Sequence, residues 1–269
     1  MDLVEHTRDR WNAAGAHSPI VVAVSGGRDS MTLLAVLHRL LPRECLHVVH
    51  FDHRLRGPES TRDRDLVSQT ALEYRLALSI GEGRARRADE ASLRTERWQF
   101  LETVAHDVGA RFVATAHHGA DQLETLLLRL LRGTGPRGLA GMREVDGLRW
   151  RPWLDVAPVQ IDAWARQNDV RWREDQSNAS MRYARNRLRH VVLPELVTES
   201  QHHGGPPAFF RRLGETCRAT ATLVDDADAR ALEGLAATHT PFFLRVAESR
   251  FDGTEAAIDA MTLLLGRPL

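Results

Sequence analysis

Short apolar runs alternate along the chain with longer stretches in which apolar residues return every three or four positions. Ile20 to Val24, preceded by Pro19, is a β-branched run of strand length, and Met31, Leu33, Leu34 and Leu37 behind it suit one side of a helix. The alternation continues. Residues 45–53 ("CLHVVHFDH") are strand-like, a helix begins near Ser60 and carries Leu66, Val67 and Leu72, and 76–80 is strand-like again. A helix over 91–108, a strand over 111–116 and a helix over 120–132 follow. Repeated strand–helix units predict an α/β fold: a doubly wound, mainly parallel sheet with helices on both faces. Ligands of such sheets bind beyond the C-terminal strand ends, where Ser25, His50 to His53 and Ala116 to His118 all fall.

Further along, 133–142 ("GTGPRGLAGM") reads as a glycine-rich loop and 158–168 as a helix. The stretch 199–207 ("ESQHHGGPP"), with two glycines, two prolines and no apolar residue, reads as a linker. Residues 1–200 are therefore expected to form the main domain, and 208–269 a small, mostly helical C-terminal module.

Composition narrows the class. Among 269 residues, 43% are hydrophobic and 27% charged, as in a globular protein with a substantial core. No stretch is long and apolar enough to span a membrane, and "MDLVEHTRDRW" lacks a signal-peptide pattern, so a cytoplasmic location without membrane association is expected. Cys45 and Cys217 lie far apart without a C-x-x-C and are read as core thiols. The net charge is zero, yet the chain contains no lysine, so every fixed side-chain cation is an arginine.

The first candidate chemistry lies where the first strand meets its helix. Ser25-Gly26-Gly27-Arg28-Asp29-Ser30 places hydroxyls at a helix N-terminus, where unpaired N–H groups and the helix dipole favour an anion and glycines let it approach. Phosphate is the expected guest. An isolated Gly-Gly could be a tight turn with Ser25 or Asp29 as an ordinary N-cap, but the whole string favours the phosphate reading. It is neither a Walker loop nor a Gly-x-Gly-x-x-Gly turn.

"TAHHGADQLETLLLRLLRGTG" carries the second signal. On a helix, His118, Asp121, Glu124 and Thr125 share one side, and Leu123, Leu126, Leu127, Leu130 and Leu131 the other. The acidic side is open to three readings: a solvated face, a divalent-metal site built from His117 or His118 with Asp121, or a receptor for an ammonium group. In the third signal, "SNASMRYARNRLRHVVLPEL", Arg182, Arg185, Asn186 and Arg189 fall on one face, opposite Ala184, Leu188, Val191 and Val192. Such a stripe suits phosphate contacts to RNA, with ion pairing to neighbouring acids as the alternative. Arg94 and Arg97 flank Trp98 in "EASLRTERWQFL"; the indole is read as a core residue.

Taken in order, the Ser25–Ser30 loop, "HFDHRLRG", "EASLRTERWQFL", the 115–142 string, "RPWL" and "EDQSNASMRYARNRLRHVVLPEL" resemble the tRNA(Ile)-lysidine synthetase family of N-type ATP pyrophosphatases. The resemblance runs over about residues 18–196. It implies an adenine nucleotide α-hydrolase-like sheet and a ligase that adenylates the 2-carbonyl oxygen of the first anticodon cytidine of a CAU-bearing tRNA(Ile). An amine of free lysine then displaces AMP to give lysidine. It further implies ATP bound by Ser25, Gly26, Gly27, Arg28, Asp29 and Ser30, with Mg2+ held at Asp29. Asp121 and Glu124 would take the lysine, Asp29, His118 and Asp121 would serve catalysis, and Arg94, Arg97, Arg182, Arg185, Asn186 and Arg189 would meet tRNA or AMP phosphate. A homodimer is compatible with this reading.

The chain departs from the family pattern at three places. Ala120-Asp121 stands before Gln122 where two consecutive aspartates are usual, Ser180 where an aspartate is frequent, and Arg28 at a loop position more often apolar. The last tRNA-binding domain of longer members is also missing by this reading, leaving 208–269 as the C-terminal module.

Overall fold

The computed structural model describes residues 2–15, 19–54, 58–83, 90–174 and 184–236. Its elements follow as α1 (Leu3–Ala13), β1 (Ile20–Ala23), α2 (Arg28–Leu40), β2 (Leu46–Asp52), α3 (Pro58–Tyr74), β3 (Ala77–Glu82), α4 (Glu90–Asp107), β4 (Phe112–Ala114), α5 (Gly119–Arg132) and α6 (Pro136–Leu139). A hairpin of β5 (Val145–Asp146) and β6 (Arg149–Trp150) precedes α7 (Pro158–Gln167), α8 (Ala184–Arg187), a π-helical stretch at Leu188–Val192, α9 (Leu193–Glu199) and α10 (Gly205–Ala236). The strands form one sheet in the order β3-β2-β1-β4-β6-β5, parallel except for the β5–β6 hairpin at its edge.

The predicted doubly wound α/β architecture is present, and the alternation of buried side chains builds it. Ile20, Val22, Leu46, Val48, Phe112 and Ala114 face one way and join the core of α1, α2, α3 and α7, with Met31, Leu33, Leu34 and Leu37 of α2 fully buried there. Val21, Val49 and Val113 face the other way, onto Leu101, Val104 and Ala105 of α4. Both faces are covered, as a parallel sheet requires.

Two readings change. Residues 199–207 are not a linker. They form a 3-10 turn at Ser200–His203, reverse through Gly204 and Gly205 at φ +89° and +78°, and enter α10, whose first turn accommodates Pro206 and Pro207 because its N–H groups have no helical partner. Through residue 236 the expected module is this one helix, lying back against α5 and α6; residues 237–269 lie outside the described part. The helix after α7 also departs from its expected faces. Leu188 is buried, but Val191 and Val192 are exposed, because a π-helical turn does not keep the 100° spacing that would have put them inward.

A third cluster joins α5 to the C-terminal helices: Ala120, Leu123, Ala157, Leu188, Leu193 and Phe210. Gly119 opens α5 so close to Phe210 that an added Cβ would lie 2.6 Å from the ring, and Phe210 is fully buried. Gly119→Ala is accordingly expected to destabilise the fold by about 1–3 kcal/mol. Urea unfolding measures this, and an unchanged midpoint would mean that α5 and α10 are not packed so tightly.

Candidate active site

The loop after β1 is shaped by its own hydroxyls. Ser30 Oγ donates to the Gly27 carbonyl at 3.0 Å and accepts from the Ser25 N–H at 3.1 Å, with the Ser25 hydroxyl also 3.1 Å away. Gly26 sits at φ +89° with its Cα turned toward Asp63 of α3, where a Cβ would come within 3.3 Å of the aspartate side chain. The Gly26 carbonyl accepts from the Arg173 N–H at 3.0 Å, and the Arg173 guanidinium pairs with Asp63 at 2.9 Å and with Glu59. The segment 170–174 thus ties the loop to α3.

This loop forms one wall of a cleft of about 1080 Å³ at the C-terminal ends of the strands. His50 closes its floor: Nδ1 is 2.8 Å from the Val24 carbonyl, and Nε2 is buried without a hydrogen-bond partner. Arg94, Arg97, Trp98, Arg149 and Arg151 line the far side. Trp98, half-buried, both packs against the core of α4 as expected and lines the cleft, with Arg149 stacked 4.0 Å from its ring centre and its indole N–H donated to Glu102.

Asp29 and α5 meet across His118. The imidazole Nε2 is 3.4 Å from Asp29 Oδ2 and Nδ1 is 3.4 Å from Asp121 Oδ2, while Asp121 also accepts from the His118 N–H at 3.0 Å. Burial works against a charge on His118, but the two carboxylates outweigh it and raise its pKa to about 9. Burial likewise opposes the charge on Asp29, but His118 and Arg28 outweigh it and hold its pKa at about 2. Arg28 grips Asp29 at 2.9 Å and reaches Asp162 of α7 at 3.3 Å. His117 is the opposite case. Burial and the nearby arginines lower its pKa to about 4, so it faces the cleft as a neutral imidazole, with Nδ1 2.9 Å from the Thr115 hydroxyl.

The acidic side of α5 is not solvated. Glu124 is completely buried, and Arg185 Nε at 2.8 Å and Arg189 Nε at 2.6 Å occupy its two oxygens. Arg189 also reaches Asp121 at 3.2 Å. On the other side of the helix Leu123 and Leu126 are buried as expected, but Leu130 and Leu131 are exposed because α5 runs past the core at its C-terminal end. Ala120 packs beside Leu123 and Phe210 in this third cluster, one turn before the buried Glu124, so this departure from the family pattern lies in a packing position. Arg182 and Ser180 lie outside the described residues, and Asn186 follows Arg185 on α8.

Among the described residues no group of three or more His, Cys, Asp or Glu side chains is arranged to hold a metal ion. No helix among them is long and apolar enough to cross a membrane. The sequence reading placed His50 at a ligand-binding strand end without giving it a role, and did not single out Arg149, Arg151, Asp162 or Arg173. Arg151 stands in the "RPWL" string, but a lone arginine at the end of a two-residue strand carries no periodic cue.

Residues 4–196 match the model of the PP-loop domain. The chain is 38% identical to a tRNA(Ile)-lysidine synthase of Methylobacterium nodulans over 247 residues, 88% of this chain and 70% of that protein. It is 38% identical to one of Bacillus subtilis over 215 residues, 74% of this chain and 45% of that protein, and 42% identical to one of Geobacter sulfurreducens over 187 residues, 66% and 40% respectively. The chain thus spans somewhat under half the length of the last two relatives. Among solved structures, the U34-tRNA thiolase NcsA of Methanococcus maripaludis with its [4Fe-4S] cluster shares the fold, with a TM-score of 0.64 at 14% identity, over 81% of this chain and 78% of that one.

Proposed function

From a chain that belongs to the PP-loop domain family, and within it to the tRNA(Ile)-lysidine synthases, we propose that this cleft joins free lysine to the 2-position of the first anticodon cytidine of a CAU-bearing tRNA(Ile), using ATP. The observation that carries the reading is His118. Its imidazolium binds Asp29 of the phosphate-type loop on one side and Asp121 of the acidic helix on the other, so a nucleotide cradle and a cation receptor form one site.

The cytidine 2-carbonyl oxygen attacks the α-phosphorus of ATP, pyrophosphate leaves, and the base becomes an O-adenylate. The N–H groups and hydroxyls of Ser25 to Ser30 hold the departing phosphates at the positive end of α2. Asp29 offers the single carboxylate that a magnesium ion takes when phosphates supply most of its other ligands, so the residues present fit that ion. Bound there, it would neutralise charge on the leaving pyrophosphate. Asp121 and Glu124 receive the lysine cation. An amine of lysine attacks C2, the C2–O bond breaks, and AMP departs with the oxygen. His118 already carries a proton, whereas His117 faces the cleft as a neutral imidazole and can accept a hydrogen bond from the attacking amine. Arg94 and Arg97 line the wall where RNA or AMP phosphate would pass.

Incubation with ATP, labelled lysine and CAU-bearing tRNA(Ile) should leave lysine covalently in the tRNA, with AMP released. Label absent from the tRNA would refute the proposal. Glu124→Gln and Asp121→Asn are expected to impair lysine use about ten- to a hundredfold, corresponding to about 1.5–3 kcal/mol for a lost charged hydrogen bond, and to impair adenylation less. Lysine saturation curves measured beside AMP release in single turnover separate the two. Parental lysine saturation in both variants would remove the acidic pair from the pocket.

A further inference from the structure

The carboxylates assigned to lysine are already occupied by cations of the chain itself. Glu124 has no solvent exposure, and each of its oxygens accepts from a different arginine. Arg189 spans both acids, with Nη2 3.2 Å from Asp121 Oδ1 and 3.1 Å from Glu124 Oε2, while Arg185 Nη2 lies 3.8 Å from Asp121. Four charges of alternating sign are thus packed where one ammonium group has to enter. A substrate cation cannot reach a carboxylate whose lone pairs are taken and which no solvent touches. The arginines differ from their partners: about a third of each side chain is exposed, so they can leave toward solvent, whereas Glu124 cannot move outward to meet a ligand. Arg189 also stands in the π-helical stretch, a geometry that helices adopt in short pieces and often at functional sites.

We infer that Arg185 and Arg189 are an internal surrogate for the lysine cation, closing its receptor until an anion draws them away. This rests on the reading of Asp121 and Glu124 as the lysine receptor. The anion is a phosphate group of the RNA strand or of the adenylate, since a guanidinium exchanges a carboxylate for a phosphate without losing its paired geometry. The consequence is an order of events: nucleotide and tRNA engage first, and lysine gains its site afterwards. Free lysine is then kept away from ATP in the resting protein, where its carboxylate would be a competing acceptor for the adenylyl group.

Equilibrium dialysis of the full chain with radiolabelled L-lysine tests this, once alone and once with CAU-bearing tRNA and a nonhydrolysable ATP analogue. If the open receptor is about 1% populated in the resting protein, lysine binds about a hundredfold more weakly to the protein alone. The R185Q/R189Q double variant should bind lysine without tRNA, at least tenfold more tightly than the parent does. Equal affinity of the parent with and without tRNA and analogue overturns the inference, and this comparison needs no variant to fold. Lysine transfer in the complete reaction is scored separately. Transfer with equal affinities discards the surrogate and keeps the proposed function, whereas absence of transfer discards the function itself.

Discussion

Replacing Asp29 with alanine is expected to lower AMP formation by about a hundred- to a thousandfold while leaving the fold in place. The carboxylate stands in the first turn of α2, beside the loop that would hold the phosphates, and its pKa of about 2 keeps it fully ionised at any pH at which the protein is used. Losing a fixed group that holds charge in place at a developing leaving group costs rates of this size. The fold should tolerate the change because Asp29 is partly exposed and packs into none of the three apolar clusters. AMP release from ATP in the presence of tRNA measures the first part and urea unfolding the second. Near-parental AMP release would take Asp29 out of the adenylation step.

The second large effect concerns stability. Asp155, following the "RPWL" string, is almost completely buried and gathers partners from two elements: His6 at 3.2 Å and Arg10 at 2.6 Å from α1, and Arg218 at 2.9 Å from α10. Gly214 of α10 passes so close that an added Cβ would lie 2.4 Å from the Asp155 Cβ, so the carboxylate has no room to turn elsewhere. Asp155→Asn keeps the volume and removes the charge, leaving Arg218 without its counter-ion and Arg10 with Glu144 alone, at 3.5 Å. A loss of about 3 kcal/mol is expected, which for a protein of this size lowers the Tm by about 6–12 °C. Burial opposes the charge on Asp155, but His6, Arg10 and Arg218 outweigh it and hold the pKa well below the usual carboxylate range. A folded-state pKa below the unfolded value near 4 means that this stabilisation is complete above about pH 5 and fades as the solution is acidified further. The gap in Tm between parent and variant should therefore narrow below pH 4. A gap that is absent at neutral pH would show that the junction contributes nothing.

The sheet was readable because β1, β2 and α2 carry their burial pattern locally: a β-branched run, then apolar residues at helical spacing. The β5–β6 hairpin was not, since two-residue strands have no period; the only cue was Asp146-Gly147, where Gly147 turns at φ +58°. α1 was passed over for a different reason. Its buried residues are Leu3, Thr7 and Trp11, and a threonine at the middle position breaks the apolar pattern. The loop and α5 announced their chemistry by residue type and spacing, and Asp121 and Glu124 do share a face. Their burial was invisible because the arginines that cover them come from α8 and the stretch after it, more than sixty positions away. Local periodicity tells which side chains point together and says nothing of what lies against them.

In the proposed reaction the cytidine oxygen, once adenylated, leaves with AMP from this cleft. The most direct test is to supply CAU-bearing tRNA(Ile) with oxygen-18 at the cytidine 2-carbonyl, together with unlabelled ATP and lysine, and to weigh the AMP released. AMP heavier by one oxygen-18, in step with lysine entering the tRNA, is the expected result. Unlabelled AMP alongside lysine-bearing tRNA would contradict it.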